Sequence, residues 1–175
     1  MTEDVVKDAE TSSRLKAAVE HHQRGELEDA EAAYRAILEL EPAHPMATAN
    51  LATLAHQTDR NELALSLLET GISAHPDHAI LRLNLGEIYR QLGRLDEAIR
   101  SLTAAAQALP NQAQARIALG RAYNSRGAMA KHAQQHQAAL DDFREAACAD
   151  DENAAAHYNL GTCLKDAGQL GEAEQ

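Results

Sequence analysis

The sequence predicts an all-α fold, a solenoid of antiparallel helix pairs, and three observations carry that reading. Leu51, Leu85 and Leu119 are evenly spaced, Ala30, Ala64 and Ala98 repeat the same interval, and so do Pro42, Pro76 and Pro110. Such a period marks one supersecondary unit stacked on copies of itself, each burying an apolar face that it cannot bury alone. Composition agrees: 45% of the 175 residues are hydrophobic, yet aromatics make up only 3% and Trp is absent, so Ala and Leu must fill the space between helices. Within each period the apolar residues recur at helical spacing rather than in alternation.

Aligned on their small and turn residues, the units span residues 11–44, 45–78, 79–112 and 113–153, and an incomplete fifth runs over 154–175. Residues 1–10, with Glu3, Asp4, Asp8 and Glu10, read as a flexible acidic leader. In the third unit Leu83, Leu85, Ile88 and Tyr89 form the inward stripe of a first helix, and Gly93 follows where a left-handed cap is wanted. A second helix then begins near Leu95, with Asp96 and Glu97 at the positive end of its dipole. Its inward positions are Leu95, Ala98, Ile99, Leu102, Ala105 and Ala106, and Pro110 closes the unit because it cannot continue a helix.

The fourth unit departs from the period. Gly127 follows Gly93 at the regular interval, but Ala139 follows Ala98 at a longer one, so seven extra residues fall between Gly127 and Ala139. Seven residues are close to two helical turns and preserve the phase of the stripe. The expectation is a second helix that begins early and projects as a solvated extension over residues 128–138, which can be removed in whole turns without loss of stability. The fifth unit stops about one turn into its second helix, so the chain reads either as a piece of something longer or as a solenoid whose open end a second copy covers.

These residues together resemble the tetratricopeptide-repeat family, whose pattern has a small residue in the first helix, a Tyr three later, a Gly before the second helix, then Ala, a large apolar residue, Ala and a closing Pro. The third unit supplies Gly86, Tyr89, Gly93, Ala98, Leu102, Ala105 and Pro110, and the fourth supplies Leu119, Gly120, Tyr123, Gly127, Ala139, Phe143 and Ala146. The fifth supplies Leu160, Gly161, Gly168 and Ala173, the second Leu51, Ala52, Ala64, Leu68 and Pro76, and the first Ala18, Gly25, Ala30, Tyr34 and Pro42. The resemblance covers residues 11–175. It implies a right-handed superhelix whose first helices line a concave face that binds a peptide or protein segment.

The position before the Leu of each first helix reads Lys16, Asn50, Asn84, Ala118 and Asn159. An amide offers both donor and acceptor, so an asparagine ladder can hold an extended backbone without reading its side chains. This ladder is similar to that in the superhelix of O-linked N-acetylglucosamine transferases. Three residues on stand Val19, Thr53, Glu87, Arg121 and Thr162. The candidate peptide-binding set is therefore Lys16, Asn50, Thr53, Asn84, Glu87, Arg121 and Asn159, with Arg121, Lys16, Arg90 and Lys165 favouring an acidic or C-terminal peptide. Chaperone-binding members of the family clamp a terminal carboxylate with Lys and Asn in the first repeat; Leu15 and Val19 stand there, and Ile80 and Asn84 replace the cations of the third, so that ligand is not implied.

Several classes of function fall away. The net charge of -11 opposes attraction to nucleic acid or anionic lipid. The acidic first residues make neither a secretory signal nor a transit peptide, and no segment approaches the roughly 20 apolar residues of a membrane span, so the chain reads as cytoplasmic. Cys148 and Cys163 form no CxxC pair and read as small buried hydrophobes in a reducing compartment. His132 and His136 stand one helical turn apart but lack a third ligand, and His75 and His78 flank a turn at Pro76-Asp77, so no metal or cofactor is expected. The pairs Asp141-Asp142 and Asp150-Asp151 read as exposed charge, and nucleophile elbows, zinc-protease helices, phosphate loops and dinucleotide fingerprints are all missing. The expectation is a non-catalytic interaction scaffold. The alternatives are the recognition part of a larger glycosyltransferase or sulfotransferase, or a repeat protein that self-associates through its fifth unit.

Overall fold

The computed structural model describes residues 3–166, with side chains from Ala9 onward. The described residues form helices and turns: α1 Glu3–Gln23, α2 Leu27–Leu40, α3 Pro45–Gln57, α4 Asn61–Ala74, α5 Ala79–Gln91, α6 Leu95–Ala108, α7 Ala113–His132, α8 His136–Ala149 and α9 Ala154–Asp166. Helix α1 begins at Glu3, so helical backbone runs through the segment read as a flexible leader. The second helix of the fifth unit, with Gly168 and Ala173, lies outside the described residues.

One turn geometry joins the helices within each pair. Gly25, Asp59, Gly93 and Gln134 have φ of 78°, 57°, 75° and 58°, each one residue before the next helix cap. The following amide returns to the carbonyl five residues back, as Glu26 to His21 at 3.0 Å, Arg60 to Ala55 at 2.8 Å, Arg94 to Tyr89 at 2.9 Å and Gln135 to Ala130 at 2.9 Å. This is the Schellman closure, which satisfies helix-end carbonyls and needs a left-handed residue.

The left-handed positions correct the reading of the fourth unit. Their spacing is even from Gly25 through Asp59 to Gly93 and then widens by the length of the insertion, so Gln134 makes the turn and Gly127 lies inside α7. The seven extra residues therefore lengthen the first helix of the pair, which runs for 20 residues, and leave the second, α8, at the 14 residues of α2, α4 and α6. Because seven residues keep the phase, Gly120 and Gly127 both face α8: a Cβ on Gly120 would lie 3.1 Å from the Ala146 carbonyl, and one on Gly127 2.9 Å from the Phe143 ring.

The chain divides into two compact units, Met1–Leu85 and Gly86–Gln175. In unit one Ala18, Ala30, Tyr34, Leu51 and Leu54 form a buried cluster where α1, α2 and α3 meet. Gly71 of α4 lets Thr48 of α3 and Leu81 approach closely, since a Cβ there would meet them at 3.0 and 3.2 Å. In unit two Ala130, Ala139, Leu140, Phe143, Cys163 and Leu164 form the core where α7, α8 and α9 meet. Within residues 128–138 Ala130 is buried and Ala128 packs against the same core, so the expected projection is anchored on that face of α7, whereas Met129 and residues 132–138 are exposed as the solvated reading expects. Cys163 is buried as expected, whereas Cys148 is exposed.

Charge also reaches the interior. Asp142 of α8 is 6% exposed and receives two bonds from Arg126 of α7, at 2.9 and 2.7 Å; Arg126 bonds Asp96 of α6 at 2.6 Å as well. One guanidinium thus joins three helices, and the reading of Asp141-Asp142 as exposed charge holds for Asp141 alone. In unit one Glu31 of α2 accepts both guanidinium nitrogens of Arg60 and also binds Arg35.

Candidate functional site

Helix register places the expected binding residues on the first helix of each pair, and packing decides which of them meet. In unit one Asn84 sends its amide to the Ala49 carbonyl and the Thr53 hydroxyl of α3, both at 3.4 Å. Thr53 is held in turn by its bond to Ala49 oxygen at 3.0 Å. Asn50 is half-buried on the same helix and Lys16 is exposed on α1. No hydrogen bond or ion pair links Lys16 to Asn50, Thr53 or Asn84 among the described residues. The unit thus brings Asn84 to Thr53 and leaves Lys16 apart.

Unit two builds a polar groove of about 470 Å³. Arg90 reaches it from α5, Arg121, Asn124 and Ser125 from α7, and Asp150, Glu152 and Asn153 from the turn before α9. Glu87 holds Arg90 at 2.9 Å across one helical turn. Asn159 of α9 donates to Asn124 at 3.0 Å, which couples the expected ladder residue to the groove wall. Asn153 is itself fixed, since its side-chain oxygen caps α9 through the Ala156 amide at 3.1 Å. The groove thus combines two guanidinium groups and side-chain amides with the carboxylates of Asp150 and Glu152, and with Arg90 held by Glu87 its donors for a backbone carbonyl or a carboxylate are chiefly Arg121 and the amides.

Asn124 is a residue that the sequence reading missed, and the register explains why. Asn159 meets it at the same offset at which Asn84 meets Ala49, but the seven extra residues of α7 hide this equivalence when the regular period is applied throughout. The widened interval between Ala98 and Ala139 was the signal for it. Ala118, placed on the ladder by the regular period, is 2% exposed and belongs to the core.

The expected one-turn relation of His132 and His136 fails, since His132 ends α7, His136 begins α8, and the Gln134 turn separates them. Among the described residues, His21, Glu26 and Asp29 bring potential metal-binding atoms within 4.8 Å of one another. There the His21 Nδ1 bonds Glu26 at 2.6 Å and Arg24 approaches the same carboxylate at 3.9 Å, so His21 and Glu26 are already engaged with protein partners. No helix among the described residues is long and apolar enough to cross a membrane.

This arrangement of helix pairs, Schellman turns and small residues at crossings defines a helical repeat protein. The tetratricopeptide-repeat signature matches residues 15–69, 58–113, 92–135 and 132–175, and the chain belongs to that family. Comparison with curated proteins finds no match. Among solved structures the chain is similar to MamA, at 19% identity over 93% of this chain and 85% of that one, with a TM-score of 0.69. MamA from Desulfovibrio magneticus RS-1 is similar at 18% identity, 94% and 89% coverage and a TM-score of 0.69. The Pseudomonas aeruginosa protein pilF is similar at 19% identity, 96% and 73% coverage and a TM-score of 0.70. At these identities the likeness concerns the fold.

Proposed function

We propose that this chain is a non-catalytic scaffold of the cytoplasm that holds an extended peptide or protein segment along its first helices, on the concave face that the family resemblance implies. The observation that carries this reading is the unit-two groove, where Arg90, Arg121 and Asn124 converge and Asn159 is tied to the groove wall. Asn84 and Asn159 each use the amide nitrogen within the protein, and the carbonyl oxygen of each has no partner among the described residues. Those oxygens suit the N–H groups of an extended backbone, and the guanidinium groups select acidic side chains or a terminal carboxylate.

The test is capture of partners from lysate by the wild type, by an Asn50→Ala, Asn84→Ala, Asn159→Ala variant and by Arg121→Glu, each checked first by circular dichroism for equal helicity. A partner held by the wild type and lost by both variants supports the groove. A partner retained by both places binding elsewhere on the molecule.

A further inference from the structure

The geometry points to an acid-sensitive junction in unit one, where His44 and His78 stand immediately before α3 and α5, the Nδ1 of one accepting a backbone amide and the Nδ1 of the other buried without a partner, so that a proton added at either nitrogen finds no acceptor. The two occupy equivalent places one repeat apart, immediately before Pro45 and Ala79. His44 Nδ1 accepts the Ala47 amide at 3.2 Å, which requires that nitrogen to carry a lone pair. Adding a proton there converts the acceptor into a second donor, so the cap is lost. His78 Nδ1 is buried and has no hydrogen-bond partner among the described residues, so a proton placed on it finds no acceptor.

The surroundings reinforce this. His75, three residues before His78, donates Nε2–H to the Ala43 carbonyl at 2.6 Å, which brings a third imidazole to the turn that holds His44. Burial pushes the His78 imidazole below its ordinary value of 6.5, and the charges of His75 and His44 push it the same way. The other charged groups of these turns are few. Glu41 lines the groove that His44 and His75 share, and one of its carboxylate oxygens accepts the Thr11 hydroxyl of α1 at 2.8 Å. Arg82 of α5 is held on the Pro76 carbonyl at 2.9 Å and Asp77 is exposed. Among the described residues, neither carboxylate bonds an imidazole of the cluster.

The sign follows from linkage. A histidine held below its unfolded value binds fewer protons in the folded state, so its contribution is intact above pH 6.5 and declines as pH falls through 6.5 toward the folded value. Loss of the His44 bond to the Ala47 amide would free the first turn of α3, the helix that carries Asn50 and Thr53.

The experiment is thermal unfolding of the full chain by circular dichroism at pH 7.5 and 5.5, for the wild type, for a His44→Asn, His78→Asn variant and for a His21→Asn, His132→Asn control. Asn caps helices without titrating. The wild type and control should lose roughly 2–4 °C of midpoint on acidification. The cap variant should lose much less while matching the wild type at pH 7.5. A cap variant that falls as far as the wild type overturns the inference. Should that variant misfold, nitrogen NMR of the wild-type histidines decides: a lone pair on His44 Nδ1 at pH 7.5 and a His78 midpoint below 6.5 sustain it, and a His78 midpoint at or above 6.5 overturns it.

Discussion

Asp59 and Gln134 hold left-handed backbone at turns where Gly25 and Gly93 stand in the other two pairs. A side chain in that conformation costs roughly 1–2 kcal/mol, and Gly removes the cost while loosening the unfolded chain by roughly half as much. Gln134→Gly should therefore stabilise by about 0.5 kcal/mol in urea unfolding. Gly127 behaves oppositely. A Cβ there sits 2.9 Å from the ring of Phe143, which is 1% exposed and has no room to retreat. Overpacking outweighs the gain in helix propensity, and Gly127→Ala should cost about 1–2 kcal/mol by the same measurement. Glu31 supplies an acid-range dependence distinct from that of the histidines. The Arg60 guanidinium, with Arg35, lowers its carboxyl from 4.5 to about 2. Its stabilising effect is complete above pH 4.5 and fades as pH falls toward 2, so Arg60→Gln should flatten the decline of the urea midpoint between pH 5 and 3.

At the scale of the element, α7 is where the repeat pattern bends. The helix is packed near both of its ends, by Ala115 and Ala118 close to its start and by Ala130 close to its end, and Lys131 reaches Asp166 of α9 at 3.5 Å. Deletion of residues 128–134 removes Ala130 and the left-handed turn together, and should abolish most of the helicity of unit two by circular dichroism. Arg126 is the polar tie of the same helix. Arg126→Leu leaves the buried Asp142 carboxylate without its guanidinium and should cost about 1.5–3 kcal/mol. An added Asp142→Leu should recover part of that loss, because the uncompensated charge is then gone.

At the scale of the whole molecule, each repeat draws its stability from its neighbours, so damage should stay local. Phe143→Ala, which opens a cavity in the cluster of α7, α8 and α9, should lower amide protection in those helices by hydrogen exchange and leave α1 to α4 protected as before. The helix pairs were legible in the sequence because period, stripe and turn chemistry are local: Leu83, Leu85, Ile88 and Tyr89 are buried as their spacing implies, and Gly25 and Gly93 take the turns that need them. Part of the candidate site was legible too, since Asn84, Arg121 and Asn159 follow from register on the first helices. The register of α7 was not, because an insertion of seven residues keeps the same face inward at either offset and a one-dimensional pattern cannot choose between them. The choice falls to packing, where Gly127 admits the Phe143 ring, and it carries Asn124 to Asn159, buries Ala118 and assigns the turn to Gln134. By itself the sequence determined which segments are helices and which face each buries, because those depend on neighbours a few residues away. Tertiary structure alone decided which polar groups meet, because Arg126 with Asp142, Asn124 with Asn159 and His75 with the turn of His44 come from separate helices and turns that only packing brings within bonding distance.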